Sequence, residues 1–147
     1  MTANEYFKRI DELNTTIQIK REQIESLRNA LSISTVPTDA LYVSHTRNVT
    51  AMEGMIAAII DFEKEAACMK NELNKLKQRL VMYIRQIPNP QEAALITERY
   101  IEGLDTKAIA KNHHYSRRRI QQLLKIGAEH FDVYLSEGAI ISPGFAN

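Results

Sequence analysis

Arg117, Arg118 and Arg119 follow Ser116 and lead into Ile120-Gln121-Gln122-Leu123-Leu124-Lys125. A guanidinium fork matches a phosphate or the paired acceptors of a guanine edge. A glutamine amide can match an adenine edge in the same bidentate way. The surrounding charge is local. From Thr106 to Ile126 there are six Lys+Arg and no Asp or Glu. From Met1 to Gln86 there are 12 Lys+Arg against 11 Asp+Glu, and the whole chain of 147 residues carries +1. A near-neutral chain with one acid-free basic block points to an anion-binding face. The candidate contacts are Lys107, Ser116, Arg117, Arg118, Arg119, Gln121, Gln122 and Lys125, and the anion they suit is duplex DNA.

Other chemistries fit less well. His113-His114 near Asp105 could suggest a metal, but adjacent histidines point to different sides of the chain and no second ligand cluster accompanies them. As turn residues they could instead touch phosphate. Ser116 close to a histidine could suggest a nucleophile, yet a helix cap accounts for it. No phosphate-cradling glycine loop, nucleophile elbow or zinc spacing occurs. The expectation is therefore no enzyme, no cofactor and no metal. Cys68 is the single cysteine, which fits a reducing cytoplasm. No run suits a membrane span, and no signal-peptide pattern opens the chain, so a cytoplasmic location and no membrane contact are expected.

The basic block needs elements to hold it. Thr2 and Glu5 have capping-box spacing, so a helix can start near Ala3. Tyr6, Ile10, Leu13, Ile17, Ile24, Leu27 and Leu31 then form a heptad seam, broken at Lys20. Ser32 to Val49 loses the pattern and reads as a long loop. Thr50 and Glu53 make a second capping box. Met52, Met55, Ile59, Phe62, Ala66, Met69, Leu73, Leu76, Leu80, Tyr83 and Ile87 continue as a second seam. Pro88-Asn89-Pro90 ends that helix, and Asn89 with Pro90 suits the start of the next. Short helices are then expected at Pro90–Glu102, ending at Gly103, at Thr106–Asn112, and at Arg117–Phe131. The expected fold is all-α: a long antiparallel coiled-coil hairpin over residues 1–87, a helix-turn-helix over 88–135 and an irregular tail over 136–147.

Inside the helix-turn-helix, Asp105 can cap a helix whose buried side carries Ala108 and Ile109, with Ala110 small enough for a close crossing. Ser116 caps the next helix, whose inner side holds Ile120, Leu123, Leu124 and Phe131. The arginines then occupy the first turn. That end of the helix dipole disfavours cations by roughly 0.3–1 kcal/mol each. A bound anion would offset that cost.

The stretch Ile109-Ala110 followed by Ser116-Arg117-Arg118-Arg119-Ile120-Gln121-Gln122, with Glu98-Arg99-Tyr100 and Gly103 before it, resembles region 4 of the primary sigma factors. His113-His114 departs from that pattern, and no sigma region 2 is recognisable. The whole chain resembles small phage and prophage late-gene transcriptional regulators of the ArpU type. That resemblance implies a sequence-specific DNA-binding regulator acting on promoter or operator DNA in a bacterial host cell, with RNA polymerase as a further candidate partner. The apolar pairs Met55-Ile56 and Ile59-Ile60 are wider than a two-helix seam needs, so a homodimer or higher homo-oligomer through residues 3–87 is expected. The alternative is a DNA-recognition subunit of phage packaging, similar to a small terminase. A dimer would favour regulation, and a ring of eight or more would favour packaging.

Overall fold

The computed structural model describes residues 1–34 and 42–145, and side-chain surroundings for 1–33 and 49–137. Among these residues every regular element is helical: α1 (Ala3–Ser34), α2 (Tyr42–Ile84), α3 (Pro90–Ile96) with a π turn at Thr97–Ile101, α4 (Thr106–His113) and α5 (Arg117–Phe145). The all-α expectation holds. No helix among the described residues is long and apolar enough to cross a membrane.

The start of α1 follows the sequence. The Thr2 N–H donates to Glu5 Oε2 at 3.0 Å and the Glu5 N–H to Thr2 Oγ1 at 3.2 Å, a reciprocal capping box. Both seams turn inward. Ile10, Leu13, Ile17 and Ile24 are buried on α1, and Ile59, Leu73 and Leu80 on α2.

The chain forms two compact units. One is Leu13–Glu72. Within it Lys20 pairs with Glu65 at 2.6 Å, and Arg28 pairs with Glu63. Lys20, the break in the first seam, is resolved in the same place. Its ammonium lies 4.5 Å from the Phe62 ring centroid, and its stem covers apolar surface while the head reaches Glu65.

The other unit is Met1–Glu12 with Leu73–Asn147. The sequence places a boundary at Pro88, but the contacts run across it. The aromatic side chains explain why. Phe131 of α5, 1% exposed, lies 5.2 Å from the rings of both Tyr6 and Phe7 on α1 and 4.6 Å from Tyr83 on α2. Tyr134 joins Tyr83 at 4.8 Å. Aromatic pairs at these separations add about 0.5–1.5 kcal/mol each beyond area burial. The Tyr6 hydroxyl donates to the Leu76 carbonyl, and burial pushes its pKa up to about 12. The Ala3 N–H donates to Asp132 Oδ1 at 2.5 Å. The ends of both long helices thus belong to the unit that contains the helix-turn-helix.

Three further expectations are corrected. The loop expected over 32–49 is helical at Ser32–Ser34 and from Tyr42 onward, and 35–41 lie outside the described residues. Thr50 therefore sits inside α2 and does not cap it. Serine and threonine cost a helix only about half a kcal/mol each, too little to stop one already nucleated. The tail expected to be irregular continues α5 to Phe145, with 146–147 outside the described residues. Gly138 lowers helix propensity by about 1 kcal/mol, again too little to end a long helix.

The third correction is the π turn. The helix expected to be regular from Pro90 to Glu102 turns from α to π at Thr97. The Thr97 hydroxyl donates back to the Ala93 carbonyl at 2.7 Å, a bond that competes with the helix ladder. The Glu102 N–H then reaches back five residues to Thr97 O at 2.9 Å, and Gly103 turns the chain with φ +79°.

Candidate nucleic-acid interface

α4 begins as the sequence implies. Asp105 accepts from the Ala108 N–H at 2.8 Å, so its carboxylate serves as a helix cap. Ile109 and Ala110 are buried, while Lys107 and Lys111 on the same helix are exposed. α4 ends in a Schellman turn. The Tyr115 N–H bonds to Ala110 O at 3.0 Å and the His114 N–H to Lys111 O at 3.4 Å. His114 is in the left-handed region at φ 58°, where glycine is the usual occupant. The departure from the sigma-like pattern therefore falls on the residue that closes the turn.

Ser116 caps α5 through a bond from the Arg119 N–H to its Oγ, 3.1 Å long. Ile120 is fully buried against Leu95, Ile109 and Ala110, with Leu104, Leu123 and Leu124 packed beside them. This fixes the rotation of α5. At about 100° per residue, Gln122 falls nearly opposite Ile120, with Arg118 and Lys125 flanking it. Arg119 and Gln121 fall on the two sides. Lys107, Ser116, Arg117, Arg118, Arg119, Gln121, Gln122 and Lys125 are all exposed.

Among the described residues none of the six cations between Thr106 and Ile126 forms an ion pair. Arg117 donates from Nε to Thr106 Oγ1 at 3.3 Å, which ties the tip of α5 to the start of α4. Three guanidinium groups thus stand at the positive end of the α5 dipole with no carboxylate to balance them. Such a surface can take phosphate oxygens, and the outer side of the helix can present Gln122 to a groove.

The histidines divide. His113, a candidate for phosphate contact from its place in the turn, has its Nε2 2.5 Å from Glu98 Oε2, with about a quarter of each side chain exposed. His114 is exposed. Among the described residues no three His, Cys, Asp or Glu side chains gather as a metal site would require.

The π turn supplies supports that sequence reasoning did not assign. Three consecutive residues each find a different partner. Glu98 meets His113 in the helix-turn-helix. Arg99 binds Asp11 through two bonds of 3.2 and 3.0 Å. Tyr100 stacks on Phe7, and burial raises its phenol pKa. Tyr115 is tied from the other side, accepting from Gln91 Nε2 at 2.9 Å. On α5, an added Cβ at Gly127 would stand 3.2 Å from Ile96 Cδ1, so α5 and α3 approach closely there. The only sequence signal for these supports was the Glu98-Arg99-Tyr100 run itself. No protein-family model, curated protein or solved structure matches the chain.

Proposed function

We propose that this chain is a sequence-specific DNA-binding transcriptional regulator, phage- or prophage-encoded, that acts on promoter or operator DNA in a bacterial cell as a homo-oligomer. One observation carries the reading. The first three turns of α5 expose Arg117, Arg118, Arg119 and Lys125 beside Gln121 and Gln122, and no carboxylate of the chain pairs with these cations among the described residues. Capping by Ser116 and burial of Ile120 hold that face outward. A plain solvated charge run would gain nothing from three cations at the disfavoured end of a helix. In the proposed complex the arginines hold phosphates and fix register, and Gln122 reads a base edge.

The test is enrichment of fragmented bacterial and prophage DNA on the purified full chain, followed by competition between enriched and random duplexes. A shared motif among the retained fragments, and preference for it over random duplex, are expected. Absence of duplex binding at low salt would overturn the proposal. Binding without any preference would overturn the sequence-specific part.

A further inference from the structure

Charge is distributed along α2 as well as along α5. From Glu53 to Glu65 there are four acids (Glu53, Asp61, Glu63, Glu65) against one lysine. From Leu73 to Gln86 there are four cations (Lys75, Lys77, Arg79, Arg85) and no acid. Each stretch also exposes large apolar side chains that a two-helix hairpin leaves uncovered. Ile56 and Ile60 are 43% and 45% exposed in the acidic stretch, and Val81 and Met82 are 41% and 46% exposed in the basic one.

The spacing places these groups in two stripes. Glu53, Ile56 and Ile60 step by three and four residues, so they share one face of their part of α2. Gln78, Met82 and Arg85 step by four and three, the same interval read backwards. The Arg85 N–H still bonds to Val81 O at 3.1 Å, so the helical turn reaches it. All six residues are exposed.

We infer that the acidic-apolar stripe Glu53-Ile56-Ile60 of one copy docks antiparallel on the basic-apolar stripe Gln78-Met82-Arg85 of a second copy. In that register Glu53 faces Arg85, Ile56 faces Met82, and Ile60 lies between Gln78 and Val81. At about 100° per residue the two stripes fall on one side of α2, so two antiparallel α2 helices about a two-fold axis make the contact twice and the pairing is isologous. Opposite charges at the ends set direction and register, since the parallel arrangement sets Glu53 beside Gln78 and leaves Arg85 unmatched. The apolar residues supply the area. Glu63 is already engaged by Arg28 of its own copy and is not needed. The inference deepens the homo-oligomer part of the proposed function and does not depend on DNA binding.

The experiment is sedimentation equilibrium on the full chain, without DNA, for wild type, Glu53→Arg, Arg85→Glu and the double reversal. A dimer is expected for wild type. Each single reversal sets like charges opposite one another twice per dimer, and the dissociation constant should rise about tenfold or more. The double reversal should return it to near the wild-type value. Circular dichroism checks helicity, and Glu53→Gln with Arg85→Gln replaces any reversal that loses it. A monomeric wild type, single reversals without effect, or a double variant that stays weak would each overturn the pairing. Duplex-binding assays on the same variants report the α5 face separately, so failure of the interface and failure of the DNA reading are distinguishable.

Discussion

Phe7 and Tyr100 lie face to face, ring centroids 4.0 Å apart and planes 5° from parallel. One belongs to the second turn of α1, the other to the π turn that precedes the helix-turn-helix. Phe7 is also 5.2 Å from Phe131 of α5. A residue near the start of the chain therefore supports both the helix before the turn and the helix that carries the basic face. Phe7→Ala should cost about 3–5 kcal/mol, the usual range for a buried phenylalanine. Arg99→Ala should cost less, about 0.2–1 kcal/mol, because the Arg99–Asp11 pair is partly exposed. Urea denaturation of both variants checks the order. A cheaper Phe7→Ala than Arg99→Ala would contradict it.

The left-handed turn residue gives a second expectation. A non-glycine residue at φ 58° carries strain of about 1–2 kcal/mol, part of which glycine would return as greater freedom in the unfolded chain. His114→Gly should therefore stabilise the protein by roughly 0.5–1 kcal/mol. His114→Val should destabilise it, because a β-branched side chain fits that region worst. His114 is exposed, so packing does not blur the comparison. Melting temperatures moving in the same direction for both variants would argue against the strain.

On DNA, the two sides of α5 should separate. Arg119→Ala should weaken binding to all duplexes alike, as loss of a phosphate contact does. Gln122→Ala should cost about 1–3 kcal/mol on the preferred site and little on random duplex. Neither should change stability much, whereas Ile120→Asp should unfold the unit, because it places a carboxylate in the Leu95–Ile109–Ala110 cluster. Competition binding decides between positioning and reading. If each head holds about four to six phosphates, log K should fall with log salt at about −0.9 per phosphate.

Alkaline pH should loosen the unit that contains α5. Burial pushes both the Tyr6 and Tyr83 phenols up to about 12, with Tyr134 raising both, Arg79 opposing at Tyr6 and Glu92 adding at Tyr83. A folded pKa above the unfolded value near 10 means that the neutral phenol is favoured by folding. Its contribution is fully present below pH 10 and is lost as pH rises towards 12. Tyr6→Phe removes one such group together with its bond to Leu76 O. It should flatten the loss of stability over that window while lowering stability at neutral pH. Denaturation midpoints between pH 7 and 12 supply the check.

Local signals were legible in the sequence. Capping by Thr2, Asn89, Asp105 and Ser116 follows from side chains within three residues of the backbone they bind. The inward turn of Ile109 and Ile120 follows from helical spacing. The failures at helix ends have one physical source, which is that composition marks where the seam stops and not where the helix stops. Ser32–Ser34 and the first turns of α2 have no apolar repeat, yet they stay helical. The pairing of Asp11 with Arg99 spans 88 positions, and no local spacing encodes it. His113, expected in the turn, is instead the last residue of α4, and its partner Glu98 depends on a π turn that residue types alone do not announce.

Because one compact unit joins Met1–Glu12 to Leu73–Asn147, order of synthesis matters for this chain. Tyr6 and Phe7 leave the ribosome well before their ring partners Tyr100 and Phe131 are made. At about 5–20 residues per second the wait lasts seconds, far longer than helix formation needs. The contiguous stretch Leu13–Glu72 can pair on itself during that time, while two aromatic side chains stay exposed to solvent and to chaperones. Moving the first twelve residues to follow Phe145 through a linker would abolish that delay, and refolding yield in the cell would report how much it matters.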